Sequence, residues 1–249
     1  MSKGVLLFCF DTEHTQYHKI LERCVKLVKK NICNDITVVT NLETYIKLKP
    51  LGFINYKFID PELGNTKLGK EWNNVDRHWA YDLSPYDVTL VMDIDYFPFT
   101  DNLRQFLDTG YDFLISKEAY DLTGRHSFDH RRWSMIPMVW ATVFVFKKGK
   151  KAKRIFDMVK YVKQNYRYFN EMYRIYSKNF RNDYAFAVAL QQANGFLNYD
   201  TLPIRLATLP TDCRILEFTD RGVAWQYNDE ISHTQDQDVH ILNKEVANV

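Results

Sequence analysis

The sequence is short of cysteine, of net charge and of long apolar runs. Its four cysteines, Cys9, Cys24, Cys33 and Cys213, show no C-x-x-C spacing. That argues against a structural zinc site and fits a reducing compartment. A formal net charge of +2 gives no global attraction to nucleic acid or anionic membrane, so an electrostatic partner has to be met by local patches. No stretch reaches the ~18 apolar residues of a membrane span, and the apolar run at 5–11 is too short for a signal-peptide core. The expectation is a soluble protein of the cytoplasm, a host's cytoplasm if the source is viral. No repeat, low-complexity stretch or linker divides the chain, and no G-x-G-x-x-G follows the first apolar run, which removes the dinucleotide fingerprint.

What is present is a chain of 249 residues with 46% hydrophobic and 15% aromatic side chains, enough for a sizeable core in one domain, residues 1–249. Val5–Phe10 is a continuous apolar run and predicts a buried parallel strand. Residues 16–30 follow helical periodicity, with Ile20, Leu21, Cys24, Val25 and Val28 on one face and Lys19, Arg23, Lys26 and Lys30 on the other. Strands are predicted at Ile36–Thr40 and Tyr56–Asp60, with a short helix at Leu42–Leu48 between them. This strand–helix alternation predicts an α/β fold with a mainly parallel sheet flanked by helices. Further on, helices are predicted at Val75–Leu83, Leu103–Asp108, 150–178 with a break near Tyr166–Asn170, and about 182–193. Strands are predicted at Val88–Met92, Phe113–Ile115 and Trp140–Phe146. The remainder, 194–249, is expected to hold short strands and end in a polar tail.

Asp93-Ile94-Asp95 closes the apolar run Val88–Met92. Acids are costly to bury without a partner, and hard oxygen ligands at a strand end suit a divalent cation that holds a diphosphate. The alternative is an ordinary strand-to-turn transition with Asp as turn former.

Leu83-Ser84-Pro85-Tyr86-Asp87-Val88-Thr89-Leu90-Val91-Met92-Asp93-Ile94-Asp95 resembles the D-x-D segment of GT-A fold (Rossmann-like) glycosyltransferases, most of all the glycogenin-like retaining group. The match is dense from Arg77 to Phe97 and looser elsewhere. The resemblance implies a GT-A domain with a nucleotide-binding half at about 1–100 and an acceptor-side half at about 101–249. It implies that Asp93 contacts ribose and metal, that Asp95 binds the metal, and that Arg77 reaches the donor's phosphate or sugar. His240 takes the place of the third metal ligand, with His233 as the competing histidine, and Lys244 that of the lysine on the diphosphate. An imidazole beside two carboxylates suits Mn²⁺ (or Mg²⁺). Asp183, in Asn182-Asp183-Tyr184-Ala185-Phe186, would lie beneath the anomeric carbon or serve only as a first-turn acid. Tyr184 stands where the family has Gln, and Trp140 and Thr142 where it has Asn and Gly, which puts the donor sugar in doubt.

Phe10, Asp11 and Thr12 would line the base and ribose, with Tyr17 stacking on the base; Asp11 and Thr12 can equally be capping residues. The activity implied is transfer of a sugar, hexosyl or pentosyl, from a nucleoside diphosphate, UDP by family habit, to a hydroxyl acceptor. Inversion would need a general base, with Asp183 or Asp129 as candidates. The basic run Lys147–Arg154, the tyrosines from Tyr161 to Tyr176 and the Arg125–Trp133 loop leave a nucleic-acid acceptor open, as in bacteriophage enzymes that glycosylate modified bases in DNA. Two rival expectations stand beside this one. They are a nucleotidyltransferase, which would want a glycine-rich loop after the first strand, and a nucleotide-sugar binding protein without turnover.

Overall fold

In the computed structural model, residues 1–52, 54–61, 66–67, 70–71, 76–125, 134–177 and 179–249 are described. A nine-stranded sheet organises the chain: β1 (Lys3–Phe8), β2 (Ile36–Thr40), β3 (Asn55–Phe58), β6 (Val88–Met92), β7 (Tyr96–Phe97), β8 (Phe113–Asp121), β9 (Trp140–Lys147), β10 (Thr201–Leu209) and β14 (Val239–Ile241). Its order is β3-β2-β1-β6-β9-β8-β10-β14-β7. Neighbours are parallel except around β9, which is antiparallel to both β6 and β8, and at the edge, where β7 is antiparallel to β14. A two-stranded ribbon, β4 (Thr66–Lys67) with β5 (Lys70–Glu71), and a three-stranded antiparallel sheet, β11 (Arg214–Phe218), β12 (Gly222–Tyr227) and β13 (Glu230–Gln235), lie outside it.

Both faces of the central strands β1, β2, β6 and β9 are covered, which explains why they are buried at nearly every position. Side chains alternate between the faces. Val5, Leu7, Leu90 and Met92 join one core cluster with Ile20, Leu21 and Cys24 of α1 (Tyr17–Asn31). Leu6, Phe8, Val91 and Phe144 join the other, with Phe156 of α4 (Lys150–Gln164) and Phe186 of α6 (Asn182–Ala193). The α1 periodicity is therefore that of a helix packed on one face of the sheet, with its lysines left outward.

Several elements differ from the sequence expectation. β1 begins at Lys3 and ends at Phe8, because Cys9 and Phe10 are buried without continuing the strand. α2 covers only Leu42–Tyr45, capped by Asn41, whose side chain accepts from the Thr44 N–H. The helix expected to end at Leu83 is a 3-10 turn, Arg77–Trp79, running into α3 (Ala80–Leu83). β8 runs on to Asp121; Lys117 and Glu118 hide that extension in the sequence, yet β10 pairs with it through Asp121. The 150–178 region breaks at Asn165, where α5 (Tyr166–Met172) begins. The expected polar tail is instead β14 followed by a 3-10 turn, Lys244–Asn248, in which Val246 and Ala247 are buried. Among the described residues no helix is long and apolar enough to cross a membrane.

Candidate active site

β6 lies between β1 and β9 with all five residues buried. The chain cannot continue as a strand beyond Met92, because the Asp93 N–H donates to the Thr142 carbonyl of β9 (2.8 Å) and the Tyr96 N–H turns back to the Asp93 carbonyl (3.1 Å). This turn throws the chain across to the far edge of the sheet. There Tyr96 of β7 sits opposite His240 of β14, and the Ile241 N–H donates to the Asp95 carbonyl (2.8 Å). The curled sheet thus delivers a histidine from near the C-terminal end to the two acids.

His240 Nε2 lies 3.3 Å from Asp95 Oδ1 and 4.0 Å from Asp93 Oδ2. One ligand atom from each of Asp93, Asp95 and His240 falls within 4.8 Å of the others. His240 is 5% exposed, and its Nδ1 has no hydrogen-bond partner among the described residues. A neutral imidazole with its proton on Nδ1 would aim the Nε2 lone pair at two carboxylates. Either a proton on Nε2 or a cation among the three groups removes that repulsion. Two carboxylates and an imidazole on rigid strand ends are a donor set that fits a divalent ion of the Mn²⁺ type.

Two basic groups flank the acids. The Arg77 guanidinium, 4% exposed, pairs with Asp93 and donates through Nη1 to the Ala141 carbonyl. Burial lowers its pKa to about 10, with Asp183 and Asp95 opposing the fall. Lys244 Nζ pairs with Asp95 Oδ2 and donates to the Ile241 carbonyl (3.4 Å). Burial alone would push the Asp95 carboxyl up, but the charges of Lys244 and His240 outweigh it and hold the group well below the usual carboxylate range.

Asp183 sits in the first turn of α6. Its Oδ1 accepts from the Ala141 N–H (2.9 Å) and its Oδ2 pairs with Arg181 Nη2 (3.0 Å). Ala141 therefore joins the two halves of the site: its carbonyl receives Arg77 and its N–H is given to Asp183. Trp140 and Thr142 on either side are buried. Arg181 was not singled out from the sequence; a basic residue two positions before a first-turn acid is the only signal, and its guanidinium also lies 5.4 Å from the Tyr184 ring.

At the end of β1 the picture is one of capping. Asp11 accepts from the His18 N–H (2.9 Å) at the start of α1 and contacts His18 Nδ1 (2.7 Å), with Lys47 Nζ at 3.5 Å. Thr12 Oγ1 accepts from the Thr15 N–H (3.1 Å), and Phe10 is buried. Tyr17 stands closer to the acids: burial raises its phenol pKa, Lys244 opposes the rise and Asp95 adds to it. His233 stays on β13, exposed to solvent, and belongs to no metal-binding group among the described residues. Asp129 and most of the Arg125–Trp133 loop lie outside the described residues. A further residue missed from the sequence is Asp238, which accepts from the Thr100 N–H (2.7 Å) and hydroxyl (2.9 Å). Burial pushes its carboxyl up to about 6, against the pull of these bonds and one to Tyr96.

No protein-family model matches the sequence, and no curated protein matches it. Solved structures do. The galactosyltransferase LgtC in complex with donor and acceptor sugar analogs superposes with a TM-score of 0.52 at 16% identity, over 75% of this chain and 70% of that one. Mouse xyloside xylosyltransferase 1 in its apo form gives 0.50 at 12% identity, over 80% and 85%. The chain has the mixed α/β, Rossmann-like GT-A fold of these proteins.

Proposed function

We propose that this GT-A chain is a metal-dependent glycosyltransferase that moves a sugar from a nucleoside diphosphate, UDP, to a hydroxyl acceptor. The observation that carries the proposal is the convergence of Asp93, Asp95 and His240 within 4.8 Å, with Arg77 and Lys244 paired to the two acids. The glycosyltransferases that share the fold act with galactose and xylose according to their names, and the donor sugar here is in the same broad class, hexosyl or pentosyl.

Asp93, Asp95 and His240 would hold a divalent ion, which would supply charge neutralisation for a diphosphate leaving group. The residues do the rest. Lys244 is tethered to Asp95 and adds a positive charge beside the leaving group. Arg77, fixed at both ends by Asp93 and Ala141, holds the first acid in orientation and keeps a permanent cation in a dry site. Preorganised charges of this kind act where charge develops in the transition state and need no rearrangement. Asp183, clamped by Ala141 and Arg181, stabilises the sugar as it becomes cationic or orients the acceptor hydroxyl. Tyr17, near Lys244 and Asp95, is suited to stack on the base.

The test is a titration of UDP with and without Mn²⁺, repeated with Asp95→Ala. Metal-dependent affinity that disappears in the variant is expected; affinity indifferent to both changes would remove the proposal. Slow metal-dependent release of UDP from UDP-sugars without acceptor separates a turning-over enzyme from a binding protein of the same fold.

A further inference from the structure

One charged feature takes no part in the site described above. Lys19, Arg23, Lys26 and Lys30 recur at i, i+4, i+7 and i+11 on the outward face of α1. That places one cation per turn, about 5.4 Å apart, along a stripe of roughly 16 Å. Lys47 and Lys49 join Lys19, Arg23 and Lys26 around a cavity of about 650 Å³, which Phe218 and Asp220 help to close.

The acids present are too few to neutralise this surface. Glu22 is occupied in part by the Lys49 N–H (3.2 Å), and Asp220 pairs with Lys30 (2.7 Å). Lys47 shares Glu43 (3.2 Å) and Asp11 (3.5 Å), and Arg23 donates to the Val249 main-chain oxygen. Lys19 and Lys26 have no side-chain hydrogen bond or ion pair among the described residues. Along α4, Lys151 pairs with Asp200 (3.9 Å), Lys153 with Asp157, Lys160 with Asp82 (2.5 Å) and Lys163 with Asp76 (3.5 Å). Lys150 and Arg154 have no ion pair among the described residues and so provide the matched comparison for Lys19 and Lys26.

We infer that the groove along α1 binds a nucleic-acid strand through its phosphodiester backbone. A cation repeated every helical turn matches a polymer that carries one charge per repeat, and neutralising several phosphates at once is the main source of sequence-independent affinity. The Phe218 ring, half-buried against Phe97 and Phe99 and with the Arg23 guanidinium 5.1 Å from its centre, closes one side of the groove. The cations line a concavity, which a strand can enter and a bilayer surface cannot. His18, whose Nδ1 contacts Asp11 beyond the end of β1 (2.7 Å), also lines the groove. That the strand is the acceptor rests on the transfer reading above; its binding does not.

The experiment follows the fluorescence anisotropy of a labelled single-stranded 20-mer against salt, for the wild type, Lys19→Glu/Lys26→Glu and Lys150→Glu/Arg154→Glu. The two variants carry the same change in net charge. The α1 variant is expected to lose roughly tenfold or more in affinity at low salt and about 2 from the salt slope, while the α4 variant changes less than about twofold. Equal losses in both variants, or a loss confined to the α4 variant, would overturn the assignment. So would displacement of the oligonucleotide by inorganic pyrophosphate at equal phosphate concentration, which marks a small-anion pocket. Binding to phosphatidylglycerol vesicles without binding to the 20-mer would assign the surface to a membrane instead. Mn²⁺-dependent UDP affinity, measured on the same proteins, should not differ between wild type and the α1 variant. If the wild type binds the 20-mer but not UDP, the groove stands and the transfer reading falls.

Discussion

His240 and Tyr96 sit directly opposite each other in the antiparallel pair of β14 and β7, and this one register fixes the distance between the histidine and the two acids. A slip of one residue would turn the imidazole to the other face of the strand. The site therefore depends on what holds β14 against β7 as much as on the ligating side chains.

Replacing His240 by Ala leaves both carboxylates in place and removes the nitrogen donor. Mn²⁺ affinity in the presence of UDP is expected to fall at least about tenfold, with a smaller loss for Mg²⁺, which relies less on nitrogen ligands. Titration calorimetry with both ions checks this. Equal loss for the two ions would show that the imidazole acts only through packing.

Asp238 governs a pH dependence of stability. Its ordinary carboxyl pKa of 3.8 rises to about 6 in the fold, so between about pH 4 and 6 the native state keeps a proton that the unfolded chain has lost. Stability from this group therefore falls as pH rises through that window and is constant above it, by up to about 3 kcal/mol. Asn at this position can still accept from Thr100. Asp238→Asn should accordingly be more stable than wild type at pH 7, with the gap closing below pH 4. Urea midpoints at pH 3.5, 5 and 7 measure it; a gap that does not change with pH contradicts the argument.

Arg77 answers to two partners at once, Asp93 and the Ala141 carbonyl. Lysine has a single point of charge and cannot reproduce the fork. Arg77→Lys should fold with a loss of roughly 1–3 kcal/mol, and Arg77→Ala should lose about 3–5 kcal/mol, because Asp93 is left without its buried partner. If donor turnover is detectable, the lysine variant should lose about 100-fold in kcat. Thermal unfolding and donor hydrolysis, measured side by side, separate the two effects.

The Arg181–Asp183 pair invites a double-mutant cycle. Asp183→Asn keeps an oxygen for the Ala141 N–H but turns an amide NH₂ toward the Arg181 guanidinium, at a cost of about 1–2 kcal/mol. Adding Arg181→Gln supplies an acceptor and should restore most of that stability. Activity should stay lost in the double variant if the charge of Asp183 matters to the chemistry. Recovery of activity together with stability would reduce Asp183 to a scaffold residue.

Much of this was legible along the chain. The apolar run before Asp93 and Asp95 marked β6 and the edge where acids collect, since a strand covered on both faces has little room for polar residues. The α1 stripe was equally plain, because local periodicity sets which face meets the sheet. Lys117 and Glu118 concealed the second half of β8, whose pairing with β10 is a long-range fact. The end of the 194–249 stretch, expected to hold short strands and finish in a polar tail, hid β14 because that strand is three residues long and too short to show a period. Arg181 gave only the weak signal of a base two positions before a first-turn acid, and Asp238 gave none, since its partner Thr100 is brought to it by the fold.

The sequence by itself determined the α/β alternation, the buried strand with its two acids and the cationic face of α1, all of which rest on spacing between near neighbours. Only the tertiary structure decided that the turn after β6 would meet β14, that Ala141 would join Arg77 to Asp183, and that Asp11 would be tied to His18. Those are pairings between distant segments, set by the curl of the sheet and the register of its edge strands, and local pattern carries no record of either.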